Sequence, residues 1–199
     1  MAQNTIQNSS VLYPEDIILY VAEWSTEYTT AAELSSATWY NLGSLTEYSR
    51  ESANESVQPG SFNVEHDQVL TKEAENLTIT LQELNSSLVA ILRGGITQQV
   101  STDIPAGSTN NPATVLYSGG ADTITPCMIW EYASYSDGRS KQTYFPKVYY
   151  VSGGAASPKS QGTGEYTDEA YTMQARESDE LSYSNRRIYK IEIESTTTT

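Results

Sequence analysis

The side chains that most often carry out chemistry are scarce in this chain. It has one histidine, His66, between two acidic residues, and one cysteine, Cys127, at the start of the run CMIWEY. A zinc site usually needs several histidines or cysteines, and a disulfide needs two cysteines. We therefore interpret His66 as a solvated turn residue and Cys127 as a buried strand residue. We expect no metal, no cofactor and no disulfide within the chain.

Paired carboxylates and paired glycines are the remaining chemical motifs. Glu73/Glu75 and Asp179/Glu180 have the residue types of a glycosidase pair, but with 25 acidic residues such pairs arise easily. The Gly–Gly pairs at 94–95, 119–120 and 153–154 lack the Lys–Ser/Thr of a phosphate-binding loop and suit turns instead. These patterns favour a protein that is not an enzyme.

The charge is strongly acidic and unevenly distributed. The formal net charge is −14 over 199 residues. Residues 1–90 hold 13 acidic residues against Arg50 and Lys72, whereas residues 91–199 hold 12 against nine basic ones. An acidic surface repels phosphate and anionic membranes, so nucleic-acid binding and membrane binding are disfavoured. The first residues, MAQNTIQNSSVLYP, lack the pattern of a signal peptide, and no apolar run has the length of a membrane span.

Most of the chain is patterned as short strands. In NLTITLQEL (76–84), Leu77, Ile79 and Leu81 alternate with polar residues, which predicts one buried face. The segments 171–176 and 189–194 alternate in the same way, and Asp137–Gly138 between two strand-like runs predicts a hairpin. DIILYVAE (16–23) is apolar on both faces, as in a strand covered on two sides, and a strand over 37–47 is interrupted at Gly43.

One helix is predicted after residue 84. Asn85 suits its N-cap, Leu88, Ile91 and Leu92 form its apolar stripe, and Gly94 or Gly95 ends it. We expect this helix to pack on a sheet through those three residues. Residues 24–37 and 49–59 carry no strand pattern, and 96–125 reads as a long loop in which only 113–117 is strand-like.

The predicted fold class is mainly β: an antiparallel β-sandwich or partly open barrel with one short flanking α-helix, long loops and terminal arms. Residues 1–13 are predicted to be an N-terminal arm, 14–194 a single β-rich domain, and 195–199 a flexible tail.

The order of several short motifs resembles a known family. WYNLG (39–43) is followed by an acidic stretch, then VLTKEAE (69–75) leads into NLTITLQEL and a helix that ends in ILRGG (91–95). FPKVYY (145–150), a Gly/Ser loop and YTMQA (171–175) follow. Together these segments, over roughly residues 38–176, resemble the major tail tube protein of long-tailed, siphovirus-like bacteriophages.

The resemblance implies a structural virion protein with two packed antiparallel sheets and a flanking helix. Its subunits would form rings, usually hexameric, that stack into a hollow tube through which DNA passes to the host without specific binding. Strands of neighbouring subunits would continue into one inner barrel, which satisfies their edges. The implied partners are further copies of the chain, the tape-measure protein, the tail terminator and the distal tail protein, with assembly in the host cytoplasm.

An acidic channel wall would repel DNA and leave it free to move. Glu65, Asp67, Glu73 and Glu75 flank short strands in or near the matching motifs, so we hypothesise that these four carboxylates face the lumen. The competing interpretation places them on the outside, where they aid solubility.

Two other classes of function remain open from the residues. A monomeric β-sandwich binding module of the carbohydrate-binding or adhesin kind could use Trp24, Trp39 and Trp130 as a sugar-stacking surface. Another virion subunit, such as a tail terminator or a capsid-decoration protein, would share the acidic, β-rich character.

Overall fold

A computed structural model describes residues 14–28, 30–57, 69–82, 86–94, 97–100, 115–118, 124–154, 169–183 and 186–195. Within these ranges the chain forms short strands and two short helices, which confirms the predicted mainly antiparallel β class. The elements in chain order are β1 (Pro14–Glu23), α1 (Ala31–Ser35), β2 (Tyr40–Asn41), β3 (Leu45–Ser52), β4 (Glu55–Val57), β5 (Val69–Lys72), β6 (Ala74–Leu81), α2 (Ser86–Leu92), β7 (Thr97–Val100), β8 (Val115–Ser118), β9 (Cys127–Tyr135), β10 (Ser140–Gly153), β11 (Glu169–Arg176), β12 (Ser178–Tyr183), β13 (Arg186–Ile188) and β14 (Ile191–Ser195).

One open sheet of eight strands organises these elements. Its order is β2–β1–β9–β10–β11–β6–β3, and β14 pairs with β10 as the eighth strand. The pairs β12–β13, β4–β5 and β7–β8 form separate two-stranded sheets. Every pairing in the large sheet is antiparallel.

Strand β10 belongs to two parts of the sheet. Its first part, residues 140–144, pairs with β14, and its last part, residues 148–153, pairs with β11. The register with β9 shifts between Phe145 and Val148, where Pro146 lacks the N–H that a regular ladder requires. The predicted hairpin around Asp137–Gly138 is confirmed, since Gly138 has a positive φ of 80° between β9 and β10.

The concave face of the sheet encloses the main core. Alternate residues from strands far apart in the sheet order meet there, which requires the sheet to curl as a twisted antiparallel sheet does. The predicted buried face of β6 is confirmed, because Leu77, Ile79 and Leu81 are all buried. The other large contributors are Leu19, Val21, Leu42, Ile129, Phe145, Val148, Tyr171 and Met173.

A second cluster lies on the convex face of β1, β9 and β10. Ala22, Leu34, Met128, Tyr144 and Leu181 are buried in it. Leu34 comes from α1 and Leu181 from β12, so these two elements cover this part of the sheet. Strand β1 therefore contributes to both clusters, which confirms that it is covered on two sides.

Helix α2 closes one side of the main core. Leu88 and Leu92 are buried in the core and Ile91 packs against it. The helix ends at Leu92, and Gly94 follows with a φ of +58°. Asn85 and Gly95 lie outside the described residues. No helix in the described part of the chain is long and apolar enough to cross a membrane.

Regular structure extends into three segments for which the sequence predicts little or none. Helix α1 lies within residues 24–37, where Thr30 and Glu33 form a capping box that hydrophobic periodicity over so short a stretch does not reveal. Strand β3 continues to Ser52 despite its polar sequence, because an edge strand with one solvated face needs few apolar residues. Thr97–Val100 pairs with Val115–Ser118 inside the predicted 96–125 loop.

Candidate assembly edge and buried charge cluster

Strand β3 is an edge of the large sheet. It pairs with β6 on one side, and within the described residues its other side pairs with no strand. Just beyond β3, the N–H of Ala53 donates to the carbonyl oxygen of Ala74 in β6 at 2.9 Å. Since N–H groups alternate in direction along a strand, the N–H of Ser49 points to β6. The N–H groups that point away from β6 are those of Tyr48, Arg50 and Ser52.

The side chains of Tyr48 and Arg50 reach across the inside of the curled sheet. The Tyr48 hydroxyl donates to Oε2 of Glu131 in β9 at 2.6 Å, and Nη1 of Arg50 lies 3.2 Å from the same oxygen. Nε of Arg50 also donates to Oε1 of Glu75 in β6. Its guanidinium carbon lies 5.1 Å from the centre of the Phe145 ring. The edge strand is thus fixed to the opposite wall by side chains.

Strand β14 and the residue before it complete what we term the charge cluster: Tyr48, Arg50, Glu75, Glu131, Lys141, Lys190 and Glu192. Nη2 of Arg50 lies 3.5 Å from Oε1 of Glu192, and Lys141 Nζ lies 3.1 Å from the same oxygen. Lys190 Nζ lies 3.4 Å from Oε2 of Glu75. Three cations therefore balance three carboxylates. The Glu75 and Glu131 side chains are only 8% exposed, so this balance is what makes their burial tolerable.

Burial and the contacts within the cluster shift the pKa values of Tyr48, Arg50 and Glu192. Burial raises the pKa of Tyr48, and the charge of Glu131 and its hydrogen bond raise it further, so the hydroxyl stays protonated and donates. Burial opposes the charge of Arg50, but the hydrogen bond to Glu75 and the charge of Glu131 outweigh it and raise its pKa. Burial likewise opposes the charge of Glu192, but its contacts with Lys141 and Lys190 lower its pKa overall.

A seam separates the start of β3 from the first half of β1. Strand β2 pairs only with Tyr20 and Val21, which leaves the earlier part of the β1 edge unpaired among the described residues. A cleft of about 570 Å³ opens there, lined by Asp16, Ile17, Ile18, Asn41, Gly43 and Leu45. The seam is a site for strand pairing by geometry alone, since both of its sides present backbone edges.

The structure describes two of the four carboxylates proposed for the lumen. Glu65 and Asp67 lie outside the described residues. Glu73 is half-buried between β5 and β6, and its N–H donates to Oε1 of Glu177 at 3.3 Å. Glu75 points into the charge cluster. The charge of Glu75 is thus neutralised within the subunit rather than presented as a free carboxylate.

Sequence reasoning did not find the charge cluster. One local signal existed: Glu131 interrupts the apolar run CMIWEY at a position whose neighbours Ile129 and Ala133 face the core. The partners come from β3, β6, β10 and β14, so no spacing in the sequence connects them. Among the described residues, no group of three or more histidine, cysteine or acidic side chains is placed to hold a metal ion.

The aromatic residues that could have stacked on a sugar stack on one another. The Trp130 ring lies 4.5 Å from Tyr20 and 5.5 Å from Tyr144, in both cases stacked, and Trp39 meets Trp130 edge-on at 5.8 Å. The Trp39 indole N–H donates to the carbonyl oxygen of Leu34 at 3.0 Å. The Trp24 ring lies 5.5 Å from Lys147 Nζ. These rings form a structural cluster rather than an open platform.

No protein-family description matches the chain, and no curated protein matches it. Three solved structures are similar over nearly their whole length. The tube-terminating cap of the anti-feeding prophage has a TM-score of 0.46 and 10% identity, covering 98% of this chain and 100% of that chain. The baseplate of the same particle, 6-fold symmetrised, gives 0.44 and 8%, covering 93% and 97%. The sheath–tube complex of an extracellular contractile injection system in the extended state gives 0.45 and 6%, covering 97% and 98%. At these values the similarities assign neither family nor function.

Proposed function

We propose that the chain is a structural subunit of a phage tail tube, which forms rings, hexameric by the family resemblance, that stack into a hollow conduit for DNA. The observation that carries the proposal is the outer edge of β3, which pairs with no strand in the described part of the chain. An edge of eight residues invites pairing with another chain. In a tube subunit, pairing with the next copy satisfies that edge.

The charge cluster supports this use of the edge. Tyr48 and Arg50 supply two of the N–H groups that point away from β6, and their side chains are fixed to Glu131 inside the sheet. The backbone edge is therefore held in one conformation before any partner arrives. Preorganisation of this kind lowers the entropy cost of association.

The surface charge suits a conduit for DNA. Every cation whose side chain the structure describes contacts a carboxylate, an amide or an aromatic ring. By contrast, Glu23, Glu47 and Glu51 are exposed and form no ion pair with the described part of the chain. DNA would therefore meet few cations able to hold it. The proposed partners are further copies, the tape-measure protein, the tail terminator and the distal tail protein, in the virion.

Electron microscopy of the purified chain in negative stain, over a concentration series with light scattering alongside, tests the proposal. Stacked rings or hollow tubes are the expected result. Particles that remain monomeric at every concentration, even after addition of the cognate initiator complex, would contradict it.

Two proline substitutions in β3 test the edge itself. Ser52→Pro removes an N–H that points away from β6, whereas Ser49→Pro removes one that points to β6. We expect Ser52→Pro to keep the melting temperature of the parent but to form no tubes. Ser49→Pro should lower the melting temperature. Normal tubes from Ser52→Pro would show that this edge is not the joining surface.

A further inference from the structure

The convex face of β3, β6 and β11 carries polar side chains on all three strands. We term it the hydroxyl face: Ser49, Asn76, Thr78, Thr80, Thr172 and Gln174. We propose that the hydroxyl face lines the channel of the tube, with Glu47 and Glu51 as its free carboxylates. This inference rests on the proposed function and specifies which surface of the subunit meets the passing polyanion.

The strand register assembles the face into rows. Thr78 of β6 lies between Ser49 of β3 and Thr172 of β11. In the next row Asn76 lies beside Gln174, whose Nε2 donates to Oδ1 of Asn76 at 3.1 Å. The alternate residues of the same strands point into the core, so the rows form a continuous surface of hydroxyl and amide groups.

The described elements leave this face uncovered. Strand β6 has substantial contacts only with its neighbours β3 and β11 among the described elements. The convex face of the other half of the sheet is instead covered by α1 and β12, through Leu34 and Leu181. The two halves of one convex surface therefore differ: α1 and β12 cover one half, and no described element covers the other.

The chemistry of the hydroxyl face favours water over a protein partner. It offers no large apolar side chain to bury, and a packed partner would have to desolvate its hydroxyls and amides. The two carboxylates of β3 on this face, Glu47 and Glu51, form no ion pair with any described residue. The one cation that the structure describes on this face is Arg176, whose Nε donates to Oε1 of Gln174 at 2.7 Å and whose guanidinium carbon lies 5.1 Å from the centre of the Tyr149 ring.

Such a wall would hold a hydration layer and no phosphate. Hydroxyl and amide groups bind water, while the free carboxylates repel a polyanion. The lumen then owes its negative charge to β3 rather than to Glu75, whose charge is balanced inside the subunit.

Cysteine accessibility in assembled tubes tests the assignment. The variant is Thr78→Cys, with Thr172→Cys as a second position on the same face and Tyr183→Cys, 76% exposed on β12, as the substitution control for tube formation. Cys127 gives no background, because burial raises the pKa of its thiol to about 12. One probe is a small maleimide. The other is a maleimide attached to a particle that is wider than the channel, whose width is measured on micrographs of the same tubes.

We expect both probes to label unassembled Thr78→Cys subunits, and only the small probe to label the tubes. Labelling of tubes by the large probe would place the face outside, and labelling by neither would place it in a contact between copies; either result overturns the inference and leaves the tube function intact. Tubes from Tyr183→Cys but from neither threonine variant would also place the face in a contact. If neither the parent nor any variant forms tubes, the proposed function is contradicted. The inference about the hydroxyl face is then contradicted as well, because it rests on that function.

Discussion

Arg50 is one of only two basic residues in the first 90 positions, and it contacts carboxylates from three strands. A guanidinium suits this position because its five N–H groups point in several directions at once, whereas a lysine ammonium would act as a single point charge. Its loss would leave two carboxylates buried without their main partner.

Arg50→Met is therefore expected to lower the free energy of unfolding by about 3 kcal/mol, the cost of removing one partner from a buried ion pair. Arg176→Met, which removes an exposed cation from the convex face, should cost less than about 1 kcal/mol. Urea denaturation of both variants measures the difference. Equal losses of unfolding free energy in the two variants would show that the buried contacts of Arg50 stabilise the fold no more than an exposed cation does.

The raised pKa of Tyr48 predicts how the free energy of unfolding depends on pH in the alkaline range. Its pKa is raised on folding above the ordinary value of 10.0, so the proton it binds favours the folded state. That contribution is complete below about pH 10 and is lost as the pH rises, by up to about 1.4 kcal/mol per pH unit.

Tyr48→Phe should therefore lose less stability between pH 9 and pH 11 than the parent does, although it starts about 1 kcal/mol lower for want of the bond to Glu131. Tyr183→Phe, at an exposed position, is the matched control. Thermal melts over this range measure the slopes, and identical slopes for all three proteins would refute the assignment.

For single residues, sequence patterns predict which side chains are buried better than they predict which side chains form ion pairs. Alternation correctly placed Tyr171, Met173 and Ala175 inside. It could not predict that Glu75, two positions after the acidic Glu73, would lie against Arg50 and Lys190, because those contacts depend on how the strands are ordered.

Among the elements, α2 depends on one glycine at its end. The amide N–H of Thr125 donates to the carbonyl oxygen of Gly94 at 2.9 Å. A Cβ added at Gly94 would lie 2.3 Å from the carbonyl oxygen of Thr125, and its φ of +58° is itself unfavourable for other residues.

Gly94→Ala is expected to cost more than about 2 kcal/mol, since strain of about 1 kcal/mol from the positive φ adds to the displacement of Thr125. Gly138→Ala, at a φ of 80° in an exposed turn, should cost about 1 kcal/mol. Chemical denaturation distinguishes the two. A Gly94 variant no worse than the Gly138 variant would mean that the contact with Thr125 relaxes freely.

The elements that could be predicted from sequence are those with strong local signals. The alternation in β6 and β11 and the Asp–Gly turn between β9 and β10 each arise within a few residues. Helix α1 and strand β12 are short, and their stability comes from burying Leu34 and Leu181 on the sheet. Hydrophobic periodicity carries little information about such elements, because one buried residue is enough to fix them.

For the whole molecule, the charge of −14 opposes association of identical copies. Salt screens repulsion between exposed charges over about 10 Å at 0.1 M. We expect the critical concentration for assembly to fall roughly tenfold between 50 mM and 500 mM NaCl, which corresponds to about 1.4 kcal/mol.

A Glu47→Gln/Glu51→Gln double variant should show a smaller dependence on salt, since it removes two of the free carboxylates. Sedimentation of assembled material across a salt series measures both proteins. Assembly that weakens as salt is added would show that attractive ion pairs dominate the contacts.

The sequence predicts the fold class, but it does not predict the order in which the strands pair. Short alternating strands indicate an antiparallel sheet, but its order brings β1 beside β9 and β11 beside β6, across about a hundred residues in each case. Such pairings depend on long-range packing that no local window contains.

The charge cluster can form completely only after the last strand of the chain has been synthesised. Position 50 emerges from the ribosome long before position 192, yet Arg50 contacts Glu192. Until the last strand arrives, Lys141 and Arg50 lack that carboxylate, and β3 is less firmly attached to the opposite wall. We therefore expect the edge of β3 to reach its final conformation late in synthesis. An incomplete chain should then pair poorly with other chains that are being translated from the same messenger RNA.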